Sequence, residues 1–201
     1  MKLFGTSTSP YTRKVRLVLL EKSIQHEFVT APPREANSPV HGINPLARIP
    51  ALVLDDGNCI FDSVVITEYA DTLNDTPILI PRNDALARMR VRRWEALADG
   101  IADAAVLVRY EVTRPPEKQD AETITRNNNT ITRALAHTAE LLGNREWCEG
   151  GAMTLADLAL AGTLTYLDLR QTDRNWRGAH PNLAAWFARM SGRASVKETL
   201  K

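Results

Sequence analysis

Cysteine is scarce in this chain of 201 residues: Cys59 and Cys148 are the two present, and they form no CxxC. That excludes a cysteine zinc site, and no structural disulfide is expected. Charge of one sign is also missing. Twenty-five Lys and Arg against 24 Asp and Glu leave a formal +1, which argues against a nucleic-acid partner. The ten glycines include no GxGxxG, no GxxxxGK[ST] and no GxSxG, so nucleotide-binding and serine-hydrolase readings start without support. His26, His41, His137 and His180 are far apart, none forms HExxH, and no metal is expected. The longest uncharged apolar run, 158–167, falls well short of the roughly 20 residues of a membrane span. No targeting stretch precedes Arg13 and Lys14, so a cytoplasmic protein without membrane contact is expected.

What is present changes texture near residue 80. Before it, short β-like runs at 2–6, 27–30, 51–54 and 59–61 alternate with helical patterns over Pro10 to Lys22 and Asp62 to Leu73. Asp55-Asp56-Gly57-Asn58 marks a hairpin turn between the last two strands. After residue 80, strand signals vanish. Asp84 caps a long helix that runs towards Thr113 before Pro115-Pro116 stops it, and a second helix spans Ala121 to Leu142 and ends at Gly143. A third begins at Thr154 and a fourth opens at His180-Pro181-Asn182. Seven basic against nine acidic residues in 1–78 and 18 against 15 in the remainder leave neither part polarised.

Three stretches in the first part carry chemistry. In Ser7-Thr8-Ser9-Pro10-Tyr11-Thr12, a strand ends in a hydroxyl-rich loop and Pro10 starts a helix, whose N-terminus favours an anion. In Asn44-Pro45-Leu46-Ala47-Arg48-Ile49-Pro50-Ala51-Leu52, a cis bond before Pro50 would turn the Ile49 backbone outward, ready to accept an extended peptide. In Phe61-Asp62-Ser63, Ser63 can cap the following helix, while Asp62 supplies an acid for an ammonium group beside free backbone N–H groups. Alone, each is also read as an ordinary cap or turn.

In this order the stretches resemble the glutathione transferase family, and the bacterial branch in particular. Ser-Pro-Tyr-Thr-Arg-Lys-Val-Arg at 9–16 is similar to the family's active-site loop and first helix. Residues 44–52 are similar to its NPxGxVPxL signature, Asp62-Ser63 to its acid-serine pair, and Thr154-Leu155-Ala156-Asp157 to the capping box of its helical half. The resemblance implies a thioredoxin-like domain over 1–78, β-α-β-α-β-β-α with a mixed four-stranded sheet, followed by an all-α bundle over 84–201. In the signature, Ala47 stands where the family has Gly, which suggests that no positive φ is required there.

The resemblance also implies a glutathione site. The Ile49 backbone beside Pro50 would pair with the cysteinyl part, Asp62 and Ser63 would hold the γ-glutamyl end, and Arg48, assisted by His41, would lie near the glycyl carboxylate. Ser9 aligns with the catalytic position and would donate a hydrogen bond to the thiolate, with Ser7, Thr8, Tyr11 and Thr12 as rivals and Arg13 as an electrostatic helper. A serine there forms no mixed disulfide, which disfavours thiol-disulfide exchange. Thr8, Tyr11, Ala105, Val108 and Arg109 are expected to border the pocket for a small electrophile. A homodimer is implied, with Asp99 or Asp103 approaching glutathione on the other subunit. A protein that kept the scaffold as a binding module without turnover is the alternative.

Overall fold

The computed structural model describes residues 1–200. Strands β1 (Lys2–Gly5), β2 (Glu27–Thr30), β3 (Ala51–Val53) and β4 (Cys59–Ile60) form one sheet in the order β2-β1-β3-β4. β1 and β2 are parallel, whereas β3 is antiparallel to both of its neighbours. This is the mixed sheet expected. Its central strands are short and apolar: Leu3, Ala51 and Leu52 are fully buried. Helices α1 (Pro10–Glu21) and α2 (Ser63–Thr72) pack beside one another. The connection from β2 to β3 departs from the expected pattern, because its helical element is a single 3₁₀ turn, Pro39–Gly42, inside a segment with prolines at 32, 33, 39 and 45. Such proline density removes the donors that a longer helix needs.

The remaining helices are α3 (Ala85–Val112), α4 (Ala121–Leu142), α5 (Leu155–Arg170), α6 (Trp176–Ala179), α7 (Pro181–Ser191) and α8 (Ala194–Glu198). Their ends follow local chemistry. The Asp84 carboxylate accepts from the backbone N–H groups of Leu86 and Ala87, both at 2.9 Å, and Gly143 closes α4 at φ 56°. Every residue from Leu155 to Leu167 is buried, so the apolar run noted in the sequence is the central helix of a bundle, surrounded by α3, α1 and α7. The two short helices, α6 and α8, lie beyond the four that the sequence pattern predicts.

The two parts meet through α1 against α5 and α3. Gly162 lies at this contact, where a Cβ would sit at ordinary van der Waals distance, 3.5 Å from the Lys14 backbone nitrogen and 3.6 Å from the Pro10 carbonyl oxygen. The same interface holds a buried ion cluster. Lys14, 1% exposed on α1, donates to Glu95 at 2.9 Å and to Asp99 at 2.6 Å on α3, and Glu95 also accepts from Arg92 at 2.5 Å. Arg88 and Arg92 pair in turn with Glu68 on α2. Burial raises the Asp99 pKa, while the Lys14 charge opposes that rise.

Candidate functional site

The hydroxyl loop lies between β1 and α1, as the sequence implied. Ser9 is extended at φ −74° and ψ 129° and is the cap residue of α1, its Oγ accepting from the Thr12 backbone N–H at 3.3 Å. The serine is half-buried and no acceptor takes its own proton among the described residues. It therefore presents an O–H next to the positive end of α1.

The rival hydroxyls stand elsewhere. Thr12 is fully buried, with Oγ1 lacking a partner and packed where a Cβ on Gly5 would come within 2.6 Å of it, so it faces β1. Tyr11 donates its phenol proton to Asp103 on α3. Burial first, and then the bond to Asp103, push the Tyr11 pKa well above its ordinary value. Ser7 is half-buried and Thr8 exposed. Arg13 corrects the expectation of an electrostatic helper. Its guanidinium is buried and donates to the carbonyls of Ser7 at 2.7 Å and Thr199 at 2.6 Å, and burial lowers its pKa to about 10. It braces the loop instead.

The second stretch folds around Asn44, which is 2% exposed. Its side chain donates to the Arg48 carbonyl at 2.8 Å and accepts from the Leu46 N–H at 3.0 Å, while the Ala47 N–H reaches the Asn44 carbonyl at 2.8 Å. That turn places Ala47 at φ 50°, which overturns the expectation that no positive φ is needed here. Alanine is held in the left-handed region because the Asn44 bonds fix the backbone on both sides. Ala47→Gly is accordingly expected to raise stability by about 0.5–1 kcal/mol, seen as a higher urea midpoint with unchanged slope; a lower midpoint would overturn the strain argument. After the turn, Ile49-Pro50 is cis and Pro50 is buried. The Ile49 backbone makes no hydrogen bond among the described residues. Arg48 and His41 are exposed, and His41 Nε2 lies 2.9 Å from the Pro33 carbonyl oxygen.

In the third stretch Asp62, not Ser63, caps α2. Asp62 is extended and its Oδ1 accepts from the Val64 N–H at 3.0 Å, whereas Ser63 is already helical and buried. A cap needs the extended backbone that only the former has. Asp62 is exposed, and its Oδ2 accepts no hydrogen bond among the described residues.

On α3, Ala105 has no exposed surface and Val108 is 7% exposed, so both belong to the apolar core, which corrects their expected place at a pocket. Arg109, half-buried, does reach the surface. Asp99 and Asp103 are engaged within this chain, by Lys14 and Tyr11. Two contributors have no role in the motif reading: Lys14 and Glu95. A signal for both exists in the sequence, since Lys14 shares a helical face with Leu17 and Val18, and Glu95 with Val91 and Ala98.

Comparison with known proteins gives a consistent picture. Residues 3–77 match the family model for the glutathione S-transferase N-terminal domain, and residues 121–189 match that for the C-terminal domain. An uncharacterized GST-like protein of Escherichia coli strain K12, YibF, is 37% identical over 99% of this chain and 98% of its own length. A glutathione S-transferase of Methylobacillus flagellatus, crystallised with glutathione bound, is 43% identical with a TM-score of 0.95, covering 98% of both chains. Another, from Methylobacterium radiotolerans in complex with glutathione sulfonate, is 36% identical with a TM-score of 0.94, covering 99% of this chain and 93% of that one.

Proposed function

Since the chain belongs to the glutathione S-transferase family, we propose that it is a glutathione transferase that stabilises the tripeptide's thiolate and delivers it to a small electrophile. The open Ile49 backbone receives the cysteinyl part, Asp62 and Ser63 the γ-glutamyl end, and Arg48 the glycyl carboxylate. Ser9 donates to the sulfur. The observation that carries this reading is the unshared Ser9 proton at the N-terminus of α1, in a loop whose Tyr11 hydroxyl is bound to Asp103 and whose Thr12 hydroxyl is fully buried against β1. A thiol held there loses its proton below its ordinary pKa of about 8.5 and becomes the nucleophile.

Turnover of 1-chloro-2,4-dinitrobenzene should fall about 100–1,000-fold in Ser9→Ala, as when one preorganised donor to a developing anion is removed, while glutathione binding by calorimetry stays within about threefold. The inflection in the pH profile of kcat/KM should also move upward. Full turnover in Ser9→Ala would reject Ser9, and glutathione binding without turnover of any electrophile would favour a binding module.

The active form is a cytoplasmic homodimer. Val65 on α2 and Leu86 and Met89 on α3 are exposed apolar groups on either side of the Glu68 ion pairs, and such a patch suits a second copy of this chain. Light scattering tests the oligomeric state.

A further inference from the structure

Helix α3 meets the first part of the chain at three levels. Lys14 donates to Asp99, and Tyr11 donates to Asp103. Seven residues past Asp103, the Tyr110 ring carries the Arg34 guanidinium 3.7 Å from its centre. Spacings of four and seven residues keep Asp99, Asp103 and Tyr110 on one face of α3, and the last two stand about 10 Å apart along its axis. Tyr11 and Lys14 belong to the helix that Ser9 caps. Arg34 belongs to the other arm, the connection from β2 to β3 that ends at Ile49 and Pro50.

That connection is bound mostly to itself. Among the described residues, the hydrogen bonds of 32–38 stay inside it: the Glu35 N–H reaches the Pro32 carbonyl at 3.3 Å, the Ser38 N–H the Glu35 carbonyl at 3.0 Å and the His41 N–H the Ser38 carbonyl at 3.1 Å, while His41 Nε2 lies 2.9 Å from the Pro33 carbonyl oxygen. Its apolar support is also separate. Ala31, Val40 and Ala51 form a small cluster apart from the main core, and Ile43 and Ile49 pack against it. From there the Asn44 N–H donates to the Val40 carbonyl at 2.9 Å, and the Asn44 side chain holds the Arg48 carbonyl at 2.8 Å. Direct contacts thus lead from the residue beside Arg34 to the residue beside Ile49. The stack on Tyr110 ties the start of that run to α3. Arg34 is exposed and Tyr110 is 41% exposed, so the tie can open without uncovering either core.

We infer that Arg34 and Tyr110 are positioning residues for the glutathione site: their stack registers the connection on α3 and so fixes where the Ile49 backbone and Arg48 stand relative to Ser9. The helix that Ser9 caps is registered on the same face through Tyr11. This inference rests on the proposed glutathione site. Neither side chain touches the tripeptide; together they hold an arm that does, so their loss weakens glutathione binding and leaves the chemical step in place.

The test combines glutathione calorimetry, turnover of 1-chloro-2,4-dinitrobenzene and hydrogen exchange on the full chain. In Tyr110→Leu and in Arg34→Gln, Kd and KM for glutathione should each rise about two- to fivefold, the worth of one exposed cation–π pair, while kcat stays within about twofold. The Ser38 and Asn44 amides should exchange faster in both variants. Tyr110→Phe keeps the ring and should match the unaltered chain. The double variant should lose no more than the weaker of the two single ones. A loss in Arg34→Gln that Tyr110→Leu does not share would overturn the inference, because Arg34 would then serve the ligand directly. So would unchanged glutathione affinity in both variants, additive losses in the double variant, or a Tyr110→Phe variant as weak as Tyr110→Leu. Each of these outcomes leaves the glutathione reading intact, whereas failure of the unaltered chain to bind glutathione would overturn both.

Discussion

Lys14→Met is expected to lower the free energy of unfolding by about 3–5 kcal/mol, a large share of the roughly 5–15 kcal/mol that holds an ordinary domain together. The reason is what the substitution leaves behind. Glu95 is 2% exposed and Asp99 is shielded by α1, and Lys14 is the cation that bonds to both. Arg92 still reaches Glu95, but Asp99 would be left without a cation in hydrogen-bond range among the described residues. A methionine fills most of the lysine's volume, so the loss reports uncompensated charge and not a cavity. Combining Lys14→Met with Asp99→Asn should therefore recover at least about 1 kcal/mol of stability, measured by urea unfolding. If the double variant were simply the sum of its parts, the cluster would not be coupled in the way its geometry requires.

Asp157→Ala should cost about 2–4 kcal/mol. Asp157 is fully buried at the start of α5, and its two oxygens accept from three groups: the Cys148 N–H at 2.8 Å, the Thr154 N–H at 2.8 Å and the Thr154 hydroxyl at 3.2 Å. Alanine strands both backbone donors in the interior. Asp157→Asn keeps one carbonyl oxygen and is expected to lose about half as much, so the order wild type, Asn, Ala in thermal midpoint is the outcome to check. An Asn variant no better than Ala would show that charge, and not acceptor count, matters here. Burial raises the Asp157 pKa, and the N–H bonds from Cys148 and Thr154 hold it down.

These two sites also mark how far local sequence reaches. The capping box is legible because its chemistry is local: Thr154 and Asp157 are three residues apart and need only each other and a helix start. Helix α4 is legible from Ala121 to Leu142 for the same reason, with Gly143 marking its end. Lys14, by contrast, meets Glu95 and Asp99 across 81 and 85 residues, a pairing that no periodicity encodes. The short helices α6 and α8 span four and five residues, too few for a helical repeat to register. Ala47 misleads because its conformation is imposed by the bonds of Asn44 and does not follow from its own residue type. At the site, Ser9, Ile49 and Asp62 are legible as motif positions. The commitment of Tyr11 to Asp103 depends on how a distant helix meets α1.

The brace formed by Arg13 has a bearing on how the chain assembles as it is made. Arg13 joins the loop before Ser9 to Thr199, 186 positions later. During synthesis at about 5–20 residues per second, the N-terminal sheet can form many seconds before that partner exists. The loop that leads into Ser9 is therefore among the last features to become rigid, completed only when the segment around α8 has emerged and docked beside α1. A nascent chain carries a folded sheet well before it carries a finished loop between β1 and α1.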